Sequence, residues 1–92
     1  MIEELKKRKL EIMRIAERYG AEDIRIFGSF ARGEDKQESD ADFLVRMDGS
    51  LLRRIAFIQD LEELLGRKVD VVTERSVHWY VRDRIIKEAV PL

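Results

Sequence analysis

Apolar residues recur along this 92-residue chain with two different periods, which predict helices alternating with strands. A helical spacing runs from about Ile2 to Tyr19, and a second one follows Ser50 as far as Leu65. A third begins after Ser76, where Val77, Val81, Ile85 and Ala89 share one face. Between these segments lie three short apolar or β-branched runs that are typical of strands: Ile24–Phe27, Ala41–Met47 and Val69–Thr73.

Glycine and serine residues mark the predicted ends of the helices. Gly20 and Gly66 are suited to end the first two long helices, since glycine accepts the left-handed conformation that helix ends often require. Serine side chains can cap the first turn of a helix, which predicts starts at Ser50, at Ser76 and at Ser29 for a brief helix through residue 32. The predicted order is αβαβαβα.

This order predicts a single α/β (or α+β) domain over residues 1–92, with a small mixed sheet of about three strands covered by helices. Apolar residues make up 45% of the chain and charged residues 40%, as in a globular protein. The 18 Lys and Arg residues balance 19 acids, for a net charge of −1, which argues against direct, charge-driven binding of nucleic acid. Without cysteine, disulfides and thiolate metal sites are excluded. We see no membrane-spanning run and expect a cytoplasmic protein.

The junction between the first and second strands carries the first candidate chemistry. The apolar run that ends at Phe27 leads into Gly28 and Ser29, and backbone amides in such a turn can hold phosphate. Taken alone this signal is weak, because a glycine before a helix-capping serine is common. Neither a P-loop nor a dinucleotide-binding glycine pattern is present. Arg32 is either a surface cation or the balance for a phosphate or an acid.

Three acids in or next to the predicted strands carry the second candidate chemistry. Asp40 and Asp42 follow Ser29 after ten residues and point to the same face, because side chains alternate along a strand. Asp42 leads into the unbroken apolar run Phe43–Val45, and Asp70 is likewise enclosed by valines, so burial of either carboxylate is costly unless it is paired or binds a cation. A turn residue, a solvent-facing acid or an arginine pair would each explain one of them. All three together favour a shared site for hard cations, which prefer oxygen ligands.

The aromatic segment from His78 to Tyr80 is open to two interpretations. His78 has no nucleophile beside it, so a catalytic triad has little support and a structural or interface role is favoured. Trp79 and Tyr80 near the start of the last helix either fill the core or contact a partner, since aromatic residues are enriched at interface hot spots.

In these motifs the chain resembles the minimal nucleotidyltransferases of the DNA polymerase β-like superfamily. The resemblance rests on Gly28–Gly33, Ser39–Asp42 and Val69–Val72, and it extends through Leu64–Lys68 to the segment Arg84–Val90, nearly the whole chain. It implies that Asp40 and Asp42 bind catalytic Mg²⁺, that Asp70 completes the metal site and the catalytic set, and that Gly28, Ser29 and Arg32 hold a nucleoside triphosphate, ATP.

The resemblance also implies a partner. Larger relatives carry an added acceptor-binding domain, whereas a chain of this kind usually works with a helical HEPN protein, often an RNase toxin. The expected function is then transfer of AMP from ATP to a tyrosine of the toxin by this chain as antitoxin. Two alternatives stay open: an antitoxin that neutralises its toxin by binding alone, and a free-standing enzyme that modifies a small molecule.

Overall fold

The computed structural model describes residues 2–92 and contains five α-helices and four β-strands. The helices are α1 Ile2–Lys7, α2 Lys9–Arg18, α3 Ser29–Arg32, α4 Leu51–Leu65 and α5 Trp79–Glu88. The strands are β1 Glu22–Phe27, β2 Ala41–Arg46, β3 Val69–Thr73 and β4 Val90–Pro91. The predicted mixed α/β class is therefore confirmed. None of the helices in residues 2–92 is long and apolar enough to cross a membrane.

The four strands form one sheet in the order β3-β2-β1-β4. β1 is antiparallel to both β2 and β4, whereas β2 and β3 are parallel because α4 returns the chain between them. The sequence predicts about three strands, and β4 is the addition. It is two residues long and contains Pro91, which lacks a backbone donor and is tolerated here because the strand lies at the sheet edge.

The hydrophobic core lies between one face of the sheet and helices α2 and α4. Alternate residues of the central strands, such as Ile26 and Phe43, are fully buried on this face. Ile12 of α2 and both Phe57 and Leu61 of α4 are fully buried against them. Burial of these apolar side chains is the main source of stability, at about 1.5–3 kcal/mol for each large one.

The first predicted helix is interrupted at Arg8, between α1 and α2. The Arg8 N–H donates to the Leu5 carbonyl, three residues back, and the Arg8 carbonyl accepts from the Ile12 N–H to begin the next helix. This tighter turn leaves both Leu5 and Ile12 in the core. The apolar spacing is continuous across the break, and no glycine or proline marks it.

Of the three predicted serine caps, one is confirmed and two are wrong. The Ser50 hydroxyl accepts the Arg53 N–H at 3.2 Å and caps α4. At α3 the N-cap is Gly28, and Ser29 is already the first helical residue. Ser76 lies in the turn after β3, where its side chain and backbone both bond to Thr73, so α5 begins only at Trp79.

Helix α5 joins the two outer strands, β3 and β4, and crosses the side of the sheet opposite the core. No residue of α5 is fully buried, and its half-buried apolar residues stand apart from the core cluster. The same side carries Arg25, whose guanidinium reaches Glu74 at the end of β3, above the fully buried Leu44. This second face is thus only partly covered, which leaves room for polar groups of the sheet.

Candidate active site

The turn after β1 is fixed by a glycine that no other residue could replace without strain. Gly28 has φ 75° and ψ −153°, a conformation that side chains with a Cβ rarely adopt. Phe27 is paired with Asp42 across the antiparallel ladder, so the glycine lies directly beside that acid. A Cβ at Gly28 would collide with the carboxylate of Asp42. The turn and the acid are built as one unit.

The structure places the three predicted acids at the beginning of the neighbouring strands β2 and β3. Asp42 and Asp70 are partners in the parallel register of β2 and β3, where neighbouring strands lie roughly 4.8 Å apart. Asp40 immediately precedes β2 and lies two residues from Asp42, so it points to the same side. Asp40 and Asp70 are exposed, whereas Asp42 is half-buried. Three carboxylates therefore share the partly covered face, next to the Gly28 turn.

The electrostatics of this group are unfavourable for Asp42. Burial raises the pKa of Asp42 to about 6, and the negative charges of Asp70 and Asp40 add to the effect. The positive charge of Arg32 acts in the opposite direction. A cation that binds beside Asp42 would therefore stabilise its negatively charged form.

The donor set fits a hard divalent cation in its chemistry. Carboxylate oxygens are the ligands that Mg²⁺ prefers, and a cation would offset the repulsion between Asp42 and its two acidic neighbours. Within residues 2–92, no three His, Cys, Asp or Glu side chains are already gathered closely enough to hold a metal ion. Mutual repulsion of like charges favours such an open arrangement.

The predicted phosphate-binding residues lie beside the acids. Ser29 is half-buried at the start of α3, and its hydroxyl makes no hydrogen bond to another of residues 2–92. Arg32 is held by two carboxylates: its Nε donates to Glu34 and its Nη1 to Glu88, both at 2.6 Å. The sequence leaves open whether Arg32 balances an acid or a phosphate, and the structure shows the acidic partners.

Glu88 is the residue of this region that sequence analysis missed. It is the last residue of α5, sixty positions beyond Gly28, and its Oε2 accepts the Gly28 N–H at 3.0 Å. Burial favours a higher pKa for Glu88, but the hydrogen bonds from Arg32 and from the Gly28 N–H outweigh it and lower the pKa below its ordinary value. Nothing in the local pattern of α5 distinguishes this glutamate, because its role depends on the crossing of the helix over the sheet.

The aromatic segment lies at the other end of α5, away from the acids. Trp79 and Tyr80 are 80% and 69% exposed, so the interpretation that they fill the core is wrong. His78 and Tyr80 meet edge to face, with ring centroids 4.3 Å apart, and Trp79 adjoins Tyr80. A groove of about 310 Å³ at the ends of β2 and β3 that point away from the site, lined by Val45–Met47 and Thr73–Arg75, contains none of the predicted site residues.

Comparison with known proteins identifies the family to which the chain belongs. The family model of the nucleotidyltransferase domain matches residues 5–92. The chain belongs to the nucleotidyltransferase family. The match includes every residue of the candidate site, and the chain is accordingly an enzyme of nucleotidyl transfer.

Individual relatives agree with this assignment. MJ0435 of Methanocaldococcus jannaschii, to which protein adenylyltransferase activity is ascribed, is 45% identical over 89% of this chain and 90% of its own length. The protein adenylyltransferase MntA of Thermococcus cleftensis is 40% identical over 83% of this chain and 79% of its own length.

Solved structures extend the likeness to the fold. One described as a minimal nucleotidyltransferase has a TM-score of 0.86 and 39% identity, covering 98% of this chain and 94% of that one, which confirms the resemblance seen in the motifs. A toxin–antitoxin complex with AMP-PNP has a TM-score of 0.75 at 23% identity, covering 87% of this chain and 68% of that one, and it shares the fold.

Proposed function

We propose that this nucleotidyltransferase is a Mg²⁺-dependent protein adenylyltransferase that moves AMP from ATP to a tyrosine hydroxyl of a HEPN-type toxin, and so acts as the antitoxin of the pair. The observation that carries the proposal is the register of Asp42 with Asp70 beside the Gly28 turn. Two further facts support it: the names of the relatives at 40% and 45% identity, and the fold shared with a complex of MntA and the toxin HpeT. We propose a cytoplasmic location because ATP is available there.

The reaction assigns a task to each side chain. The tyrosine oxygen forms a bond to the α-phosphorus, the bond from that phosphorus to the oxygen that bridges to the β-phosphorus breaks, and pyrophosphate leaves with the electron pair. Asp40 and Asp42 would hold the metal, and Gly28, Ser29 and Arg32 would hold the triphosphate. Asp70 would complete the metal site and accept or direct the hydroxyl proton. Bound Mg²⁺ supplies neutralisation of the charge that develops on the phosphates.

The metal pair is tested by Asp40→Asn combined with Asp42→Asn, which keeps the side-chain shapes but removes two negative charges. We expect the partner toxin, incubated with ATP and Mg²⁺, to gain the mass of AMP with the wild-type chain and none with the double variant. Glu17→Gln with Glu63→Gln is the matched control, because it removes two exposed charges outside the site. Normal transfer by a folded double variant would exclude these acids as metal ligands.

The same double variant separates catalysis from neutralisation by binding alone. If the chain is a non-catalytic antitoxin, the variant still binds the toxin and still suppresses its activity. If transfer is the function, toxin activity returns although the complex still forms. Toxin activity and complex formation are therefore measured on the same samples.

Asp70→Asn tests the third acid. Loss of a general base slows a reaction by about 10²-fold or more, so we expect transfer to fall at least that far while the nucleoside triphosphate still binds. If Asp70 also binds metal, the Mg²⁺ concentration for half-maximal activity rises as well. Transfer at the normal rate would remove Asp70 from the catalytic set.

A further inference from the structure

Glu88, at the end of α5, contacts both the backbone of the Gly28 turn and the side chain of Arg32 in α3. Glu88 Oε2 accepts the Gly28 N–H at 3.0 Å, and its Oε1 accepts from Arg32 Nη1 at 2.6 Å. The side chain is 22% exposed, so these bonds are shielded more than those of an ordinary surface pair. A single carboxylate thus fixes a backbone donor and a cation at once.

The bond to Arg32 restricts where that cation lies. Its Nε is bound by Glu34, which is exposed, and its Nη1 by the more shielded Glu88. The charge of the guanidinium acts on Asp42, so the side chain is held close to the acids. An arginine bound on two edges loses little further rotamer freedom when it contacts phosphate.

The bond to Gly28 restricts the backbone of the turn. The glycine conformation, φ 75° and ψ −153°, sets the direction of the chain into Ser29. Because Glu88 reaches this N–H from the far end of another helix, the position of α5 and the shape of the turn are coupled. Glutamine at position 88 would have one acceptor oxygen in place of two, so in this geometry it could accept from Gly28 or from Arg32 but not from both.

We propose that Glu88 is a positioning residue of the triphosphate site: without touching the nucleotide, it holds Arg32 and the Gly28 turn in the arrangement that binds the phosphates. The inference rests on the proposed use of a nucleoside triphosphate. Since no residue of α5 is fully buried, we expect the effect of Glu88 on binding to exceed its effect on the stability of the fold. Binding of the phosphates depends on the direction of charge-assisted hydrogen bonds, whereas the negative charge that Glu88 adds is offset by the guanidinium of Arg32 that it contacts.

The test is titration calorimetry of AMP-PNP with Mg²⁺ on the purified chain. We expect Glu88→Gln to weaken binding at least fivefold with an unchanged melting temperature. Glu34→Gln is the matched control: it removes an equal charge from the same arginine but leaves Gly28 untouched, and it should weaken binding much less. Equal or tighter binding by Glu88→Gln would overturn the inference, because the carboxylate would then only block or repel the phosphates.

A double-variant cycle separates positioning from a general structural effect. In an Arg32→Ala background, Glu88→Gln should have almost no further effect on affinity, because the contact with Arg32 is already gone and the one amide oxygen is left to accept from Gly28. Additive losses would overturn the inference. Absence of AMP-PNP binding by the wild-type chain would instead contradict the proposed function, so the two failures are distinguishable.

Discussion

At the scale of single residues, Asp42 carries the main energetic conflict of this molecule. Its position in β2, between Phe27 on one strand and Asp70 on the other, buries half of a carboxylate beside like charges. The result is a pKa of about 6 against an ordinary value of 3.8. Such a residue lowers the stability of the metal-free protein and raises its affinity for a cation.

The conflict predicts a pH dependence in the metal-free protein. Between pH 3.8 and about 6 the unfolded chain has released this proton while the folded protein keeps it, so the free energy of unfolding falls as pH rises through that window. Asp42→Asn should lack this component and be more stable above pH 6 by about 1 kcal/mol, a value reduced for solvent screening of a half-exposed group. Urea denaturation of both proteins in EDTA, at several pH values, measures the difference. A difference in the free energy of unfolding between the two proteins that stays constant with pH would contradict the prediction.

Gly28 gives a second prediction at this scale. Gly28→Ala combines a strained backbone with a collision against Asp42, for an expected loss of about 3 kcal/mol. Gly33→Ala is the control, since its φ of 71° is also positive but a Cβ there meets nothing within 4 Å. The control should cost only about 1 kcal/mol. Equal losses in denaturant titrations would mean that the contact with Asp42 is unimportant.

At the scale of elements, α4 offers a clean test of what holds the sheet. Leu61 is fully buried against the sheet, whereas Leu52, on the same helix, is 83% exposed. Leu61→Ala should cost about 2–5 kcal/mol through lost burial and a cavity, and Leu52→Ala less than about 0.5 kcal/mol. The substitutions are chemically identical, so their difference in denaturant midpoint isolates burial. A large loss of stability in Leu52→Ala would show that this exposed side chain makes stabilising contacts at the start of α4.

Helix α5 has a different task from α4. It contributes no fully buried residue, but its last residue binds the Gly28 turn and its first turn presents Trp79 and Tyr80 to solvent. The helix therefore spans from an exposed aromatic surface to the candidate active site. A partner that docks on the first end is also placed on the face of the sheet that carries the acids.

At the scale of the whole molecule, this arrangement predicts how the proposed toxin partner would be held. Trp79→Ala and Tyr80→Ala should each weaken toxin binding about tenfold or more, as expected for aromatic anchors, with little change in melting temperature because both side chains are exposed. Leu10→Ala is the control, an apolar residue 66% exposed on α2 across the sheet. Calorimetry measures the toxin affinity of the three variants, and thermal melts measure their stability. Unchanged toxin binding by both aromatic variants would contradict the prediction.

Much of the fold follows from local patterns. The strands β2 and β3 are visible as apolar runs because one face is buried in the core and the other is partly covered, and α4 is marked at both ends, by the Ser50 cap and by Gly66. Asp42 and Asp70 are conspicuous because each interrupts an apolar run, although the structure half-buries only Asp42 and leaves Asp70 exposed. Periodicity and the cost of burying charge act along the chain, so they can be read from it.

Other features were decided by tertiary structure alone. The break at Arg8 and the two-residue β4 carry too few residues for a periodic signal, and each depends on contacts across the molecule. The exposure of Trp79 depends on α5 having no layer above it.

Some features of the candidate site also follow from the sequence, and others only from the tertiary structure. The sequence determined which residues carry charge and which glycine can turn, since these are properties of the side chains themselves. The pairing of Asp42 with Asp70, the raised pKa of Asp42 and the contact of Glu88 with Gly28 depended on the tertiary structure. Register and helix crossing bring together residues as many as sixty positions apart, and no local rule of the chain specifies those distances.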